Sequence, residues 1–413
     1  MNSNRDGGNR RRHCMVVHAY YPLGETRVER EAQALLGRGI EVDVVCLRAR
    51  NALALETVDG VQVHRLSVRR HDEDSGSLVQ LVEYVRFLVL ACIYLARLNR
   101  RRRYHTIQVH NIPDFLVFAA LVPKLAGARA ILDLHDLMPE FYAERFQRSL
   151  DSLPVRLIRW QEWLSCRFAD HVVTVTEPWR QALIERGQRA DKVSVLMNVA
   201  DDRIFHHDAA TVVPGDASSD RNEVKDDGRF RMIYHGIMGY RHGLDLALRA
   251  VNLVRQAAPD IHLTLHGDGE YRQALVSLAD ELGLQDHVHF STYFVPTAEL
   301  PELLRKADLG IVPYRDGVFT GGILPTKLME YMALGMPAIA ARTPAIAAYF
   351  DETMVQFFTP GDVEDLARCI LALYTDRKRL AHLALGAERF NQRYNWTRVG
   401  AEYVALVERL GSR

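Results

Sequence analysis

Paired cysteines, metal-ligand spacings and a surplus of one charge are all missing from this chain. Its five cysteines, Cys14, Cys46, Cys92, Cys166 and Cys369, are scattered and odd in number, and no pair has zinc-like spacing. Reduced thiols in a cytosolic protein are therefore expected, and a disulfide scaffold is not. Lysine plus arginine equals aspartate plus glutamate, at 52 each, so bulk charge gives no argument for a nucleic-acid partner. There is no Walker-type loop, no His-Glu-x-x-His and no Gly-x-Ser-x-Gly. His266–Gly269 falls short of the dinucleotide fingerprint. Long hydrophobic runs are scarce too. The longest, Phe87–Ala96, lies between Arg86 and Arg97 and is shorter than the about 20 residues a bilayer requires. No apolar signal segment follows the polar first twelve residues.

What is present fits a soluble protein of more than one core. The chain has 413 residues, 48% apolar and 25% charged. Short β-rich runs alternate with helical stretches. Met15–His18, Glu41–Leu47, Val61–Leu66, Thr106–His110, Ala130–Leu134 and His171–Val175 read as strands, with amphipathic segments such as Arg27–Arg38 and Asp114–Leu125 between them. Residues 207–228 are polar and non-periodic, as in a linker. The alternation then restarts with strands at Phe230–Tyr234, His262–His266, Val288–Phe290, Leu309–Val312 and Pro337–Ala340. This pattern predicts an α/β protein of two Rossmann-like, doubly wound domains facing a cleft. The expected parts are a tail at 1–12, a first domain at 13–206, a linker at 207–228, a second domain at 229–390, and a helix within 391–413 that crosses back to the first domain.

The most informative stretch is Asp316–Pro337. A loop with Gly317, Gly321 and Gly322 leads into a helix expected from Pro325 to about Leu334, which Gly335 ends. A glycine loop feeding a helix N-terminus offers backbone N–H groups and partial positive charge to an anion. Glu330, further along that helix, can accept two hydrogen bonds from a vicinal diol such as a ribose. A diphosphate at the loop and a ribose at Glu330 would describe a nucleotide sugar.

Segments standing in order along the chain carry a family resemblance. Tyr234–Asp245, His266–Tyr271 and Leu324–Pro337 look like the second domain of family 4 glycosyltransferases, which are retaining enzymes of the GT-B fold. Glu25–Ala32, ahead of Arg38–Cys46, agrees with the family's first domain, and His110–Asp114 and Asp133–Glu140 resemble its exopolysaccharide and lipopolysaccharide branch. Met197–Asp201 followed by Phe205 resembles the segment before its interdomain linker. The resemblance implies transfer of a sugar from a nucleotide-diphosphate donor to a saccharide or lipid-linked acceptor. It implies no cofactor and no catalytic metal, and a cytoplasmic place, at the inner face of a membrane if the acceptor is lipid-borne. Donor contacts are implied at Gly24, Gly236, Gly322, Ile323, Leu324 and Glu330. Arg241 and Lys327 would stabilise the leaving diphosphate, a role that lowers the barrier more than it aids ground-state binding. His110 would bond a sugar hydroxyl, and His135, Asp136 and Glu140 would shape the acceptor side. Arg27 and Arg30 are alternatively paired with helix acids such as Glu31.

Two departures matter. The family usually carries a glutamate eight residues before the position of Glu330, where this chain has Gly322. Ile237, not arginine, follows Gly236. The first departure keeps a non-catalytic partner subunit open as an alternative, and a nucleotide-sugar epimerase of the same fold is a second. The segment 78–103 also admits two readings. It is either a core helix ending in solvated arginines or a basic, apolar patch in peripheral contact with a membrane.

Overall fold

A computed structural model of the chain describes residues 11–23, 25–68, 70, 77–206, 228–291 and 295–412. Most of the expected tail, Gly24 and nearly all of the expected linker lie outside the described residues. The chain divides into two compact units. One comprises Met1–Met197 with Arg398–Arg413, and the other Asn198–Thr397. The division falls at Met197 rather than at 206, because the first sheet is complete at Val195.

The first unit is built on β1 (Arg12–Tyr20), β2 (Glu41–Leu47), β3 (Leu55–Val58), β4 (Val61–Leu66), β5 (Thr106–His110), β6 (Arg129–Leu134), β7 (His171–Thr174) and β8 (Val193–Val195). Their order is β3-β4-β2-β1-β5-β6-β7-β8. Every pairing is parallel except β3 with β4. The central strands are buried on both faces, Thr106–His110 throughout and Glu41–Leu47 from its second residue on, so their residues do not alternate between buried and exposed. The order reverses between β1 and β5. In open parallel sheets a ligand crevice forms at such a reversal, beyond the carboxyl ends of the strands.

Helix α1 (Thr26–Leu36) buries Val28, Ala32 and Leu35, spaced by one helical turn, against this sheet. The next helix, α2 (Ser77–Arg102), bears on the two readings of segment 78–103. Phe87, Ala91 and Leu95 form a fully buried stripe, but Leu78, Val82, Val85, Val89 and Ile93 on the opposite side are all exposed. Only 22% of its most apolar window is buried, so it is not a core helix. By length and composition alone, Leu78–Arg102 could also cross a membrane, which counting an unbroken apolar run did not reveal. The helix is nevertheless docked along the sheet. Glu83 meets His18 at 3.1 Å, and Asn99 Oδ1 accepts from the Tyr104 N–H at 2.9 Å. Leaving the sheet would strand both polar groups, so α2 lies on the unit rather than standing free of it. Asp114–Leu125, expected as one amphipathic helix, is a 3₁₀ segment at Asp114–Ala120 followed by α3 (Leu121–Leu125). Pro123 within it supplies no N–H for a continuous α-helical ladder. Helices α4 (Met138–Arg145) and α5 (Leu153–Phe168) follow β6.

The second unit has β9 (Phe230–His235), β10 (Ile261–His266), β11 (Val288–Ser291), β12 (Leu309–Val312), β13 (Ala338–Ala341) and β14 (Gln356–Phe358), in the order β11-β10-β9-β12-β13-β14. All are parallel. Here the reversal lies between β9 and β12. Their connections approach closely. A Cβ on Gly243, whose φ is +65°, would sit 1.9 Å from the Pro313 carbonyl oxygen. The helix Thr326–Ala333 begins one residue after the expected start, with Pro325 just outside it. Gly335 takes the left-handed conformation expected past its end, with φ 63°.

Candidate functional site

The strand reversal of the second unit gathers most of the sequence-predicted donor residues. Gly236 follows β9, Tyr314 follows β12, and Lys327 and Glu330 lie on the helix Thr326–Ala333. Lys327 is buried, not the surface lysine that a bare helix would carry. Its Nζ donates to the Tyr314 hydroxyl at 2.8 Å and lies 4.8 Å and 5.0 Å from the centres of the Tyr234 and Tyr314 rings. Burial alone would lower its pKa, but Tyr234, Tyr314 and Glu330 outweigh that and raise it above the ordinary lysine value. Lys327 is therefore a cation at any physiological pH. Gly236, whose φ is +108°, takes a backbone conformation that favours glycine, and a Cβ there would be in ordinary contact with the Lys327 Nζ at 3.7 Å.

Arg241 is the second cation. Its Nε is buried without a hydrogen-bond partner, and its guanidinium lies 5.9 Å from the Phe319 ring centre. His242 records the local field. Burial, then Lys327, then Arg241 push its pKa down to about 2, so it stays neutral and accepts from the Gly239 N–H at 3.0 Å. Two cations, one with an orphaned donor, thus meet beside a helix mouth. The nearby acid, Glu330, pairs with His235 through one carboxylate oxygen. His235 is held in turn by the Tyr331 hydroxyl at 3.1 Å. The Glu330 carboxylate keeps 18% exposure, so it remains open to a further donor.

The glycine loop differs from expectation. The Gly321 N–H donates to the Gly317 carbonyl at 2.7 Å, and the Gly322 N–H to the Phe319 carbonyl at 3.0 Å. Those two donors are spent on closing a 3₁₀ turn, so Gly322 offers no amide to a donor sugar. The amides at 323, 324, 326 and 327 precede the helical bond that Leu328 donates to Pro325 at 3.0 Å. Ile323 and Leu324 therefore keep their expected position at the helix mouth. Sequence reasoning passed over Asp316. Its Oδ1 lies 3.2 Å from where a Cβ on Gly321 would stand, so a carboxylate borders the turn although Gly322 carries none.

In the first unit the candidates separate into two sets. His110 is fully buried, with Nδ1 3.0 Å from Asp133 Oδ2, though misaligned for a hydrogen bond. Arg27 binds both Asp133 oxygens, at 2.8 and 3.2 Å, and approaches Glu31 at 3.2 Å. Gln108 links Glu31 to the hydroxyl of Tyr403, both at 2.7 Å. Burial opposes the Asp133 charge, but Arg27 and His110 hold its carboxyl below the usual range. Burial likewise opposes protonation of His110, yet Asp133 and Glu31 raise its pKa. The expected sugar contact from His110 finds no exposed surface, because this network encloses the ring. Glu140 is likewise withdrawn from the acceptor side. It is buried and bound to Arg186, which also holds Glu162.

His135 and Asp136 form the second set. Both line a cavity of about 610 Å³ at the reversal between β1 and β5, together with Glu25, Asn111, Arg70 and Arg145. Their amides are oriented by Asn111 Oδ1, at 3.1 and 3.4 Å. His135 Nδ1 is buried without a hydrogen-bond partner. Burial, only partly offset by Asp133, lowers its pKa to about 4, so it presents a neutral ring. Glu25, which the sequence reading quoted only as the edge of a motif, is raised by burial beside it. His110, Asp133 and His135 have ligand atoms within 4.8 Å of one another, close enough to hold a metal. Arg27 already neutralises the Asp133 carboxylate and would repel a dication there.

Two doubly wound units, one with a cation-rich helix mouth at its strand reversal, define the GT-B class of α/β protein. The chain belongs to the group 1 glycosyltransferases. Residues 24–198 match the family described as "Glycosyl transferase 4-like domain", and residues 216–390 match "Glycosyl transferases group 1". Among relatives, a GDP-mannose-dependent α-(1-6)-phosphatidylinositol monomannoside mannosyltransferase from Mycolicibacterium smegmatis is 27% identical over 249 residues, 55% of this chain and 65% of that protein. The chain thus spans under two thirds of that relative's length. Among solved structures, sucrose-phosphate synthase from Thermosynechococcus elongatus superposes with TM-score 0.75 at 19% identity, over 98% of this chain and 100% of the other. Anabaena HepE, solved with UDP, gives 0.68 at 18% identity over 97% and 100%.

Proposed function

We propose that the chain is a retaining glycosyltransferase that moves a sugar from a nucleotide-diphosphate donor to a saccharide or lipid-linked acceptor in surface polysaccharide synthesis. The observation that carries this is a buried Lys327 and an Arg241 near His242, neither in an ion pair with an acid among the described residues, together with a partly exposed Glu330 on the helix that carries Lys327. The diphosphate would lie against Lys327, Arg241 and the amides at the helix mouth, and the ribose against Glu330. As the bond from the anomeric carbon to the diphosphate breaks, the acceptor oxygen bonds that carbon on the same face. The acceptor proton passes to the departing phosphate oxygen. Negative charge grows on the diphosphate, where the two cations stabilise it without a metal. The acceptor would be presented at the His135–Asp136 cavity, and segment 78–103 would rest on the inner face of a membrane. The mannolipid acceptor in the name of the mycobacterial relative supports the lipid-linked alternative.

Gly322 favours a second reading, in which the fold binds nucleotide but transfers nothing. Incubation with UDP- and GDP-sugars separates the two. The proposal predicts nucleoside diphosphate release and an α-linked product from an α-linked donor. Tight nucleotide binding with no hydrolysis and no transfer to any acceptor would establish the second reading.

A further inference from the structure

Among the described residues, the first unit has an unpartnered apolar face made by two helices. On α2 the exposed stripe Leu78, Val82, Val85, Val89 and Ile93 runs into exposed Arg97 and Arg100. On α5, Leu153, Leu157, Trp160 and Trp163 are exposed, at intervals of three and four residues. Both helices pack on the 114–120 segment. Short α3, which packs on α2, adds exposed Leu121 and Leu125.

Charge narrows what can cover this face. Each of α2 and α5 has a single acidic residue, Glu83 and Glu162, and both are buried. The exposed charges on the two helices are arginines: Arg86, Arg97, Arg100, Arg101, Arg156 and Arg167. A second copy of this face would set arginine against arginine. An apolar surface ringed by cations with exposed tryptophans matches the interface of an anionic bilayer.

The cavity of the first unit links this face to the chemistry. One wall is the strand-end set Asn111, His135 and Asp136, and the other comes from α2, α4 and α5. Leu81 and Leu157 line it and are also 47% and 57% exposed, so its rim merges with the apolar face. Phe115, Phe141 and Ile158 continue the apolar wall inward. A site that is polar at the strand ends and apolar toward a lipid-facing surface fits an amphiphile.

Building on the transferase reading, we propose that the acceptor is carried on a membrane lipid. The exposed faces of α2 and α5 rest in an anionic bilayer, and the hydrocarbon of the lipid enters the cavity between them while its polar end reaches His135 and Asp136.

The test uses the full chain and three probes. Co-sedimentation is measured with phosphatidylglycerol–phosphatidylcholine vesicles and with phosphatidylcholine alone. Dodecyl phosphate below its micelle concentration is titrated calorimetrically, and UDP and GDP are titrated in parallel. The chain is expected to bind the anionic vesicles preferentially and to bind dodecyl phosphate. Val89→Glu with Trp160→Glu should abolish vesicle binding and leave dodecyl phosphate binding intact. Leu157→Asp should weaken dodecyl phosphate at least tenfold. All three positions are exposed, and circular dichroism with unchanged nucleotide affinity verifies folding. The proposal is overturned if the chain ignores both probes or if the variants bind them as the parent does. It is also overturned if light scattering shows a dimer that Val89→Glu dissolves. Nucleotide binding without lipid binding sinks this inference alone, whereas lipid binding without nucleotide binding sinks the transferase reading beneath it.

Discussion

Lys327 shows how a residue's neighbours change its meaning. Buried between two tyrosine rings and hydrogen-bonded to one hydroxyl, it is fixed in place before any ligand arrives. A preset cation acts most where charge develops, so Lys327→Ala should lower turnover by about a hundredfold while donor affinity falls far less. Single-turnover kinetics beside donor titration checks this, and equal losses in both would remove the assigned role. Asp114 makes a pH-dependent statement in the first unit. It is fully buried, accepts from Asn111 Nδ2 at 2.9 Å, and leaves Oδ2 without a partner. Burial, then Glu162, pushes its pKa up to about 8. The unfolded chain releases this proton near pH 4 and the folded chain keeps it, so its contribution to stability falls as pH rises between these values. Asp114→Asn should remove that slope. Melting curves from pH 5 to 8 should show the variant gaining on the parent as pH rises, and a constant difference would contradict the assignment. The positions of Lys327 and Glu330 along one helix were legible because a glycine loop, a proline and a closing glycine mark where that helix starts and stops, whereas Arg241 was singled out by the family resemblance alone. The settings of His110, Glu140 and Glu25 were not legible. Their exposure depends on Arg27, Arg186 and the α2 wall, partners far away in the chain.

Elements were legible where their buried faces had a period. Glu41–Leu47, Val61–Leu66, Thr106–His110 and Leu309–Val312 stand as read, since short β-rich runs that alternate with helical stretches leave little choice. Strands β3, β8 and β14 were missed. Two of them have only three residues, and β3 is almost wholly exposed, so neither length nor pattern announces them. Helix α2 stayed between two readings for the opposite reason. Composition cannot distinguish an apolar face turned inward from one turned outward. The connections between elements carry their own prediction. Gly243 needs a left-handed backbone and would drive a Cβ against the Pro313 carbonyl, whereas Gly361, also left-handed at φ 84°, has nothing within 4 Å. Gly243→Ala should cost more than about 2 kcal/mol, and Gly361→Ala about 1 kcal/mol. Denaturant titrations that rank the two the other way would contradict the packing described for the second strand reversal.

At the scale of the whole molecule, the chain returns to its first unit at the end. The helix Trp396–Gly411 carries Tyr403, whose hydroxyl donates to Gln108 at the centre of the first sheet. Tyr403→Phe leaves the Gln108 oxygen buried and unpaired, at a cost of about 1–3 kcal/mol. Hydrogen exchange should accelerate at the β5 amides and stay unchanged at β9, and uniform acceleration would contradict the division into units. The account as a whole rests on the helix mouth of the second unit. Its most direct test is calorimetric titration of UDP and GDP into the parent chain and into Glu330→Ala. The prediction is saturable binding of at least one of them by the parent, weakened at least several-fold in the variant. No binding of either nucleotide, or equal binding by both proteins, would contradict it.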